Sequence, residues 1–336
     1  MGQATDHWVR ADLKPARRLA AELRELSNTA GDVFMQMMAC WASGVTCFHL
    51  GEFTTGRIYL EKAVLLYDPA HRPSYSELVP HDARVLLRIQ LSWLLACLGH
   101  LDQALFQREM ALDEARRLSH PPTLAVALGG AWTTGSFVRL ESGSLLRDAD
   151  ETMALATEHG LGFYRALALI QRGWCLAALG LADQGIPLLT AGLAIMDELG
   201  FIAWRPRYLT LLGDARRMAG QWQAALEHVA EARRLAEATE ERCFQAETVR
   251  LTGDSLSAMG DRNGAEADYR EAIAIARAQS AKLWELSASM SLARLWRDQD
   301  KRPEAHALLA PIYGWFTEGF DTPVLKDAKA LLDQLT

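Results

Sequence analysis

Eight side chains stand out for recognition chemistry. Trp41, Trp93 and Trp174 offer broad apolar faces, and Arg207, Asp214, Glu247, Arg250 and Asp254 offer fixed charges of both signs. Such a set either grips a partner or serves the fold. The tryptophans can equally be core between helices, and the charges can pair with one another for about 0–1 kcal/mol each where exposed. Signatures of catalysis are absent. The sequence holds no G-x-x-x-x-G-K-[ST], no H-E-x-x-H, no G-x-S-x-G and no G-x-G-x-x-G, so nothing announces a phosphate-cradling loop, a zinc hydrolase or a nucleophile elbow. The expectation is a chain that is not an enzyme and uses no cofactor and no metal. Five cysteines occur, an odd number with no C-x-x-C, which reads as buried free thiols in a reducing, cytoplasmic compartment. His71 and His81 are either ligands, pH-sensitive groups or parts of a solvated loop.

The elements that must position these residues follow from self-similarity, which is sought first because it decides architecture. Gly180, Gly220, Gly260 and Asp300 stand 40 residues apart, and Gly143, Gly99 and Gly51 continue the series at wider or narrower gaps. Small residues recur five and twelve positions after most anchors and seven before all of them, as at Gly173, Gly213 and Gly253. About 20 residues with apolar side chains at three- and four-residue steps precede each anchor, and a similar run follows. The anchor suits the end of a first helix, where positive φ is needed. The small residues let two backbones approach. One helical hairpin cannot bury its apolar face alone, so hairpins must stack. The reading is all-α: a right-handed α-solenoid of about seven hairpins with a period of about 40, carrying capping helices at its ends.

Residues 15–28 read as an amphipathic N-terminal helix without a hairpin partner, either a cap or the start of a truncated array. Residues 68–82, with three prolines and two histidines, read as a loop inserted between repeats and explain the 48-residue gap from Gly51 to Gly99. Residues 323–335 read as a C-terminal capping helix. The whole of 1–336 is then one solenoid. Net charge is −7, which speaks against direct nucleic-acid binding, and no run approaches the roughly 18 apolar residues of a membrane span.

The small-residue signature and the helix–turn–helix unit resemble the tetratricopeptide family, whose usual period is about 34. A period of 40 predicts helices about a turn longer. The C-terminal string WFTEGFDTPVLKDAKALL, residues 315–332, is more specific, and CFHLGEFTTGRIYLEKAVLLYDPAHR (47–72) and WRPRYLTLLGDA (204–215) extend the resemblance. Together they resemble the C-terminal tetratricopeptide-like region of large bacterial regulatory proteins that join a cyclase, DNA-binding or kinase-like domain to an AAA/STAND-type ATPase. That resemblance implies the array alone, with an adjoining ATPase or cyclase domain as a partner, and not the catalytic parts.

First helices line the concave side of such an array. Positions 13, 10, 6 and 3 before the anchors share one face. In the N-terminal half that row reads Met38, Trp41, Val45, Phe48, then Leu86, Ile89, Trp93, Ala96. In the C-terminal half it reads Arg207, Thr210, Asp214, Arg217, then Glu247 and Arg250 with Asp254. The expected function is a non-catalytic interaction and regulatory scaffold that binds a protein or peptide segment along this face. The alternative is a small-molecule sensor with its ligand near Trp93, Trp174 and Arg207. A separate series, Tyr164, Trp204, Phe244 and Trp284, repeats every 40 residues and reads as a stacking spine.

Overall fold

The computed structural model describes residues 7–72, apart from the His71 side chain, and 80–336. Residues 73–79 of the 68–82 segment, Tyr75 among them, lie outside the described residues. Within them the chain is a right-handed α-solenoid of seven hairpins, with no strand. The elements are α1 (Leu13–Ala30), α2 (Val33–His49), α3 (Phe53–Leu66), α4 (Ala83–Leu98), α5 (Leu101–Leu118), α6 (Pro121–Phe137), α7 (Ser142–Glu158) and α8 (Gly162–Ala178). They continue with α9 (Ala182–Glu198), α10 (Arg205–Met218), α11 (Trp222–Thr239), α12 (Gln245–Ala258), α13 (Arg262–Ala278), α14 (Lys282–Arg297), α15 (Arg302–Tyr313) and α16 (Pro323–Leu335).

Local chemistry sets these boundaries. Asp32, Asp82 and Asp261 cap α2, α4 and α13 by accepting a backbone N–H three residues on. Prolines stand in the first turn of α6, α10, α15 and α16, where a missing N–H costs nothing. At Gly51, Gly99, Gly180, Gly220, Gly260 and Asp300 the chain takes the left-handed conformation, with Asp300 at φ 59°. The backbones meet where the small residues predict it: a Cβ on Gly173 would lie 2.5 Å from the carbonyl oxygen of Gly185.

One anchor moves. Gly143 is an ordinary residue inside α7, and the left-handed turn falls at Arg139, φ 59°. From Gly99 onward the anchors are then 99, 139, 180, 220, 260 and 300, a nearly unbroken period of 40. A second series, Gly160, Gly200, Glu240 and Ser280, makes the left-handed joints between hairpins.

Successive turns of the superhelix touch. Ile202 and Ala203 donate backbone N–H groups to the Val9 carbonyl at 2.9 and 3.0 Å, and Arg242 and Cys243 donate to His49 at 2.7 and 3.2 Å. Val9 to Ile202 and His49 to Arg242 span the same 193 residues, so the seam has a fixed register. It continues where Gly319 N–H donates to Asp102 and Gln103 to Glu318, each at 3.0 Å. Gly99, at φ +91°, sits against Trp315 and Lys282. One apolar cluster therefore joins α2 and α4 to α12, α14, α15 and α16. The accessible surface is 13810 Å². A compact globular monomer of 37.2 kDa exposes about 13,700 Å². The solenoid is closed on itself rather than extended.

Closure fills the N-terminal concave face. Phe48, Trp93, Trp204 and Phe244 pack ring against ring, with centroids 4.9–6.1 Å apart. The expected spine is only partly continuous. Trp204 meets Phe244, but Phe137 stands between Phe244 and Trp284, at 5.7 and 5.1 Å, and Tyr164 turns to Phe163 and His81. His81 is thereby no member of a solvated loop: Tyr164 Oη bonds its Nε2, and burial with nearby His120 pulls its pKa down to about 4.

Candidate functional site

A cavity of about 500 Å³ opens on the concave side of the C-terminal half. Its walls come from the same face of successive first helices. Trp174 stands on α8; Arg207, Asp214 and Arg217 on α10; Glu247, Arg250 and Asp254 on α12; Ser287, Ser291 and Arg294 on α14. A 40-residue repeat puts equivalent positions one above another, so a row spelled in sequence becomes a wall. Ser136, Phe137 and Arg139 close the far side from the end of α6, and Tyr269 enters from α13.

Six of the eight expected residues meet here: Trp174, Arg207, Asp214, Glu247, Arg250 and Asp254. Trp41 and Trp93 do not. Trp41 is 6% exposed, stacks edge-on to Trp8 at 5.5 Å and donates its indole N–H to Gln90. Trp93 packs on Trp204 at 4.9 Å and donates to the Gly130 carbonyl. Both were expected on an open partner-binding face; Trp41 is instead buried, and Trp93 is half-buried against the apolar cluster.

Three carboxylates of the cavity are paired with neighbours. Asp214 accepts from Arg217 at 2.8 and 3.0 Å and from the Trp174 indole at 2.9 Å. Glu247 takes two bonds from Arg250, at 2.6 and 2.8 Å. Asp254 accepts from Arg250 at 2.6 Å and from Tyr269 Oη at 2.8 Å. Burial opposes the charge on Arg250, but Asp254 and Glu247 more than offset it, and its pKa stands well above the ordinary guanidinium value. Burial likewise works against the Asp254 charge, and Arg250 and Arg217 overcome it, so its pKa is lowered.

Arg207 differs. It is 7% exposed, yet among the described residues no carboxylate oxygen comes within 4.0 Å of its nitrogens. Its guanidinium lies 4.9 Å from the Phe244 ring centroid and 5.6 Å from that of Phe137, and one nitrogen donates to Ser136 Oγ at 3.3 Å. Burial lowers its pKa, with Glu247 and Asp214 only partly opposing from a distance. At the mouth Arg139 and Arg294 share a single carboxylate, Asp327 of α16, at 3.5 and 3.4 Å.

Sequence reasoning missed Ser136, Phe137 and Arg139, because Gly143 drew the anchor four residues downstream. It missed Tyr269 because that residue lies on a second helix. It also missed His49, Glu241 and Cys243, whose donor atoms lie within 4.8 Å of one another, all buried at the seam. Both Glu241 oxygens already accept the Trp204 N–H at 3.1 Å, where Trp204 takes φ 67°. Burial, with Glu241 adding to it, pushes the Cys243 thiol well up and keeps it protonated. A metal would need that thiolate and a freed Glu241, so these residues act in this structure as a lock between superhelical turns. The other cysteines are buried too, and burial raises Cys47 and Cys175 to about 12.

No family model matches the chain. An uncharacterized protein of Rhizobium meliloti (strain 1021) is 27% identical over 275 residues, which is 80% of this chain and 26% of that protein. The chain thus spans about a quarter of the length of the curated relative it matches. A Rap protein solved in complex with Competence and Sporulation Factor superimposes with a TM-score of 0.56 at 12% identity, over 90% of this chain and 88% of that one. The apo form of RapI gives 0.52 at 12% identity, over 89% and 99%. These likenesses show the fold alone, a tetratricopeptide-like α-solenoid. A STAND protein with a tetratricopeptide repeat sensor from Pyrococcus horikoshii gives only 0.43, over 96% of this chain and 50% of that one, too low to support an argument. No helix among the described residues is long and apolar enough to cross a membrane.

Proposed function

We propose that the chain is a non-catalytic, regulatory recognition module that takes up one short polar ligand, the end of a peptide or protein segment, in the α8–α14 cavity. The observation that carries this is convergence: four successive first helices place ten polar or aromatic residues around one 500 Å³ space. That volume falls within the range of about 300–1,000 Å³ typical of small-ligand clefts. A long helix laid through the whole channel does not suit it, because Trp93, Trp204 and Phe244 fill the channel upstream. The closed channel equally favours a second reading, a metabolite sensor using the same cavity. A Rap protein of this fold is solved in complex with Competence and Sporulation Factor, and ligand uptake by this chain is proposed here by analogy. Uptake would report to an adjoining domain, an ATPase or cyclase, in a longer protein.

A thermal-shift screen of short peptides and polar metabolites tests this. A ligand at 100 times its Kd stabilises the folded state by about 2.7 kcal/mol. Ser291→Trp, which fills the cavity from α14, should abolish the shift. If no compound raises the melting temperature, or if the filled variant responds as the parent does, the reading fails.

A further inference from the structure

The N-terminal end of the solenoid carries one more repeat turn. Ala11 takes φ 57° and stands 40 residues before Gly51. Its N–H donates to the Trp8 carbonyl at 3.0 Å, and that of Asp12 donates to His7 at 2.8 Å. Gly51 with Glu52, and Gly220 with Gln221, make the same pair of bonds where α2 and α10 finish. His7–Arg10 is therefore the last turn of a first helix, and α1 is the second helix of that hairpin. Trp8 agrees with this placement: its indole donates to Thr46 at 3.0 Å, 38 residues on, as Trp174 donates to Asp214 from one first helix to the next. The flank of α1 beyond this turn is apolar and open. Leu23 takes the place that Ala63, Ala111, Gly192, Ala232 and Ala272 hold in other hairpins; those are buried, and Leu23 is half-buried. Gly192 shows what the position faces, since a Cβ there would lie 2.7 Å from Ala166 and Ile170 of its own first helix, α8. Leu26 is 63% exposed where its counterparts Ile195, Leu235 and Ile275 are half-buried. Closer to Ala11, Ala16 and Ala20 are buried, so the exposure begins where His7 leaves off.

We propose, resting on the reading of the chain as a module joined to a further domain, that this flank seats an amphipathic helix of that domain, running directly into His7. It lies antiparallel to α1 and completes the hairpin over about three turns. Its chemistry follows from what it meets. It carries a small residue opposite Leu23, because leucine fills the space that alanine or glycine leaves elsewhere, an apolar residue beside Leu26, and polar residues outward. Continuity favours a helix of the same chain over a separate partner: the Ala11 turn is formed and Trp8 is already bonded in place. The chain also spans only 26% of its relative's length, so a protein of that kind has further chain to supply the helix. The seated helix would end on the cavity's own framework. The Val9 carbonyl in its last turn accepts the Ile202 and Ala203 N–H groups, the joint that opens α10 with Arg207 and Asp214. The adjoining domain is thereby held at a fixed angle to the cavity and not on a flexible tether.

The test replaces residues 1–6 with a copy of Phe163–Cys175, the turns of α8 that precede its own last one, carrying Ile170→Ala to make room for Leu23. Leu26→Cys is the reporter; the five native cysteines are buried, so a maleimide reads that position. The grafted chain should label at least about tenfold more slowly than the Leu26→Cys chain without the graft, because the thiol is then reached only through local opening. Its Tm should also rise. Lysine at Ala166 and Ile170 of the copy should restore fast labelling. If the long graft does not fold, a copy of 170–175 alone in place of residues 1–6 keeps the chain length and should still slow the label, by a smaller factor. Unchanged labelling of a folded graft, or equal protection by the lysine version, overturns the seat. Protection by the same helix as a free peptide but not as a fusion overturns direct continuation. A protected graft with no ligand found in the thermal-shift screen keeps the seat and removes the receptor; an unprotected graft with a ligand found does the reverse.

Discussion

Two arginines on the same cavity wall should respond to the same substitution with opposite signs. Arg207→Met removes a buried cation that lacks a counter-ion. Leaving such a group in place costs several kcal/mol, about 4 as a working figure. Two ring contacts return about 1 kcal/mol each, and the 3.3 Å bond to Ser136 about 1 more. Methionine keeps apolar contact with Phe137 and Phe244. The net is a gain of about 1–2 kcal/mol for the unliganded protein. Arg250→Met does the reverse, since Glu247 and Asp254 lose their cation while buried. Breaking such a group costs about 3–5 kcal/mol. With about 0.7 kcal/mol/K of unfolding entropy for 336 residues, Tm should rise by about 1–3 °C for Arg207→Met and fall by about 4–7 °C for Arg250→Met. Calorimetry and urea titration of ligand-free samples read both. Equal destabilisation by the two substitutions would refute the claim that Arg207 is uncompensated.

Two further outcomes are expected. His81 is held at a pKa of about 4, below its unfolded value of about 6.5, so the folded state binds fewer protons over that interval. Stability is therefore full above pH 6.5 and falls by up to about 3 kcal/mol as pH drops to 4; a His81→Gln variant should flatten that part of the profile, and an unchanged slope would count against burial as the cause. Arg139→Gly relieves a left-handed residue worth about 1–2 kcal/mol and gives up one long contact to Asp327. It should therefore be neutral or more stable in urea, and a loss above 1 kcal/mol would show that the Arg139 side chain holds the turn.

The array was legible because its grammar is local. Small residues at fixed offsets from Gly180, Gly220 and Gly260 report where two helices must touch, and that requirement recurs in every hairpin. The charged row was legible for the same reason: Arg207, Asp214, Glu247, Arg250 and Asp254 occupy repeat positions that stacking brings to one wall. The turn at Arg139 was not, because a non-glycine residue in that conformation carries no compositional mark while nearby Gly143 carries a false one. Closure was not legible either. The small rotation of each hairpin accumulates until residues 193 apart in sequence meet, and contacts such as His49 with Arg242 leave no periodic trace. That hidden closure is why Trp93, well placed for an open groove, packs on Trp204 instead.

The seam also constrains how this molecule can evolve. Open arrays lengthen by duplicating a unit, because each copy needs only its two neighbours. Here a duplicated hairpin between His49 and Ile202 would carry the interturn bonds out of step, leaving Val9 and His49 opposite the wrong joints. The number of units in that stretch is consequently fixed as firmly as the strand count of a closed barrel.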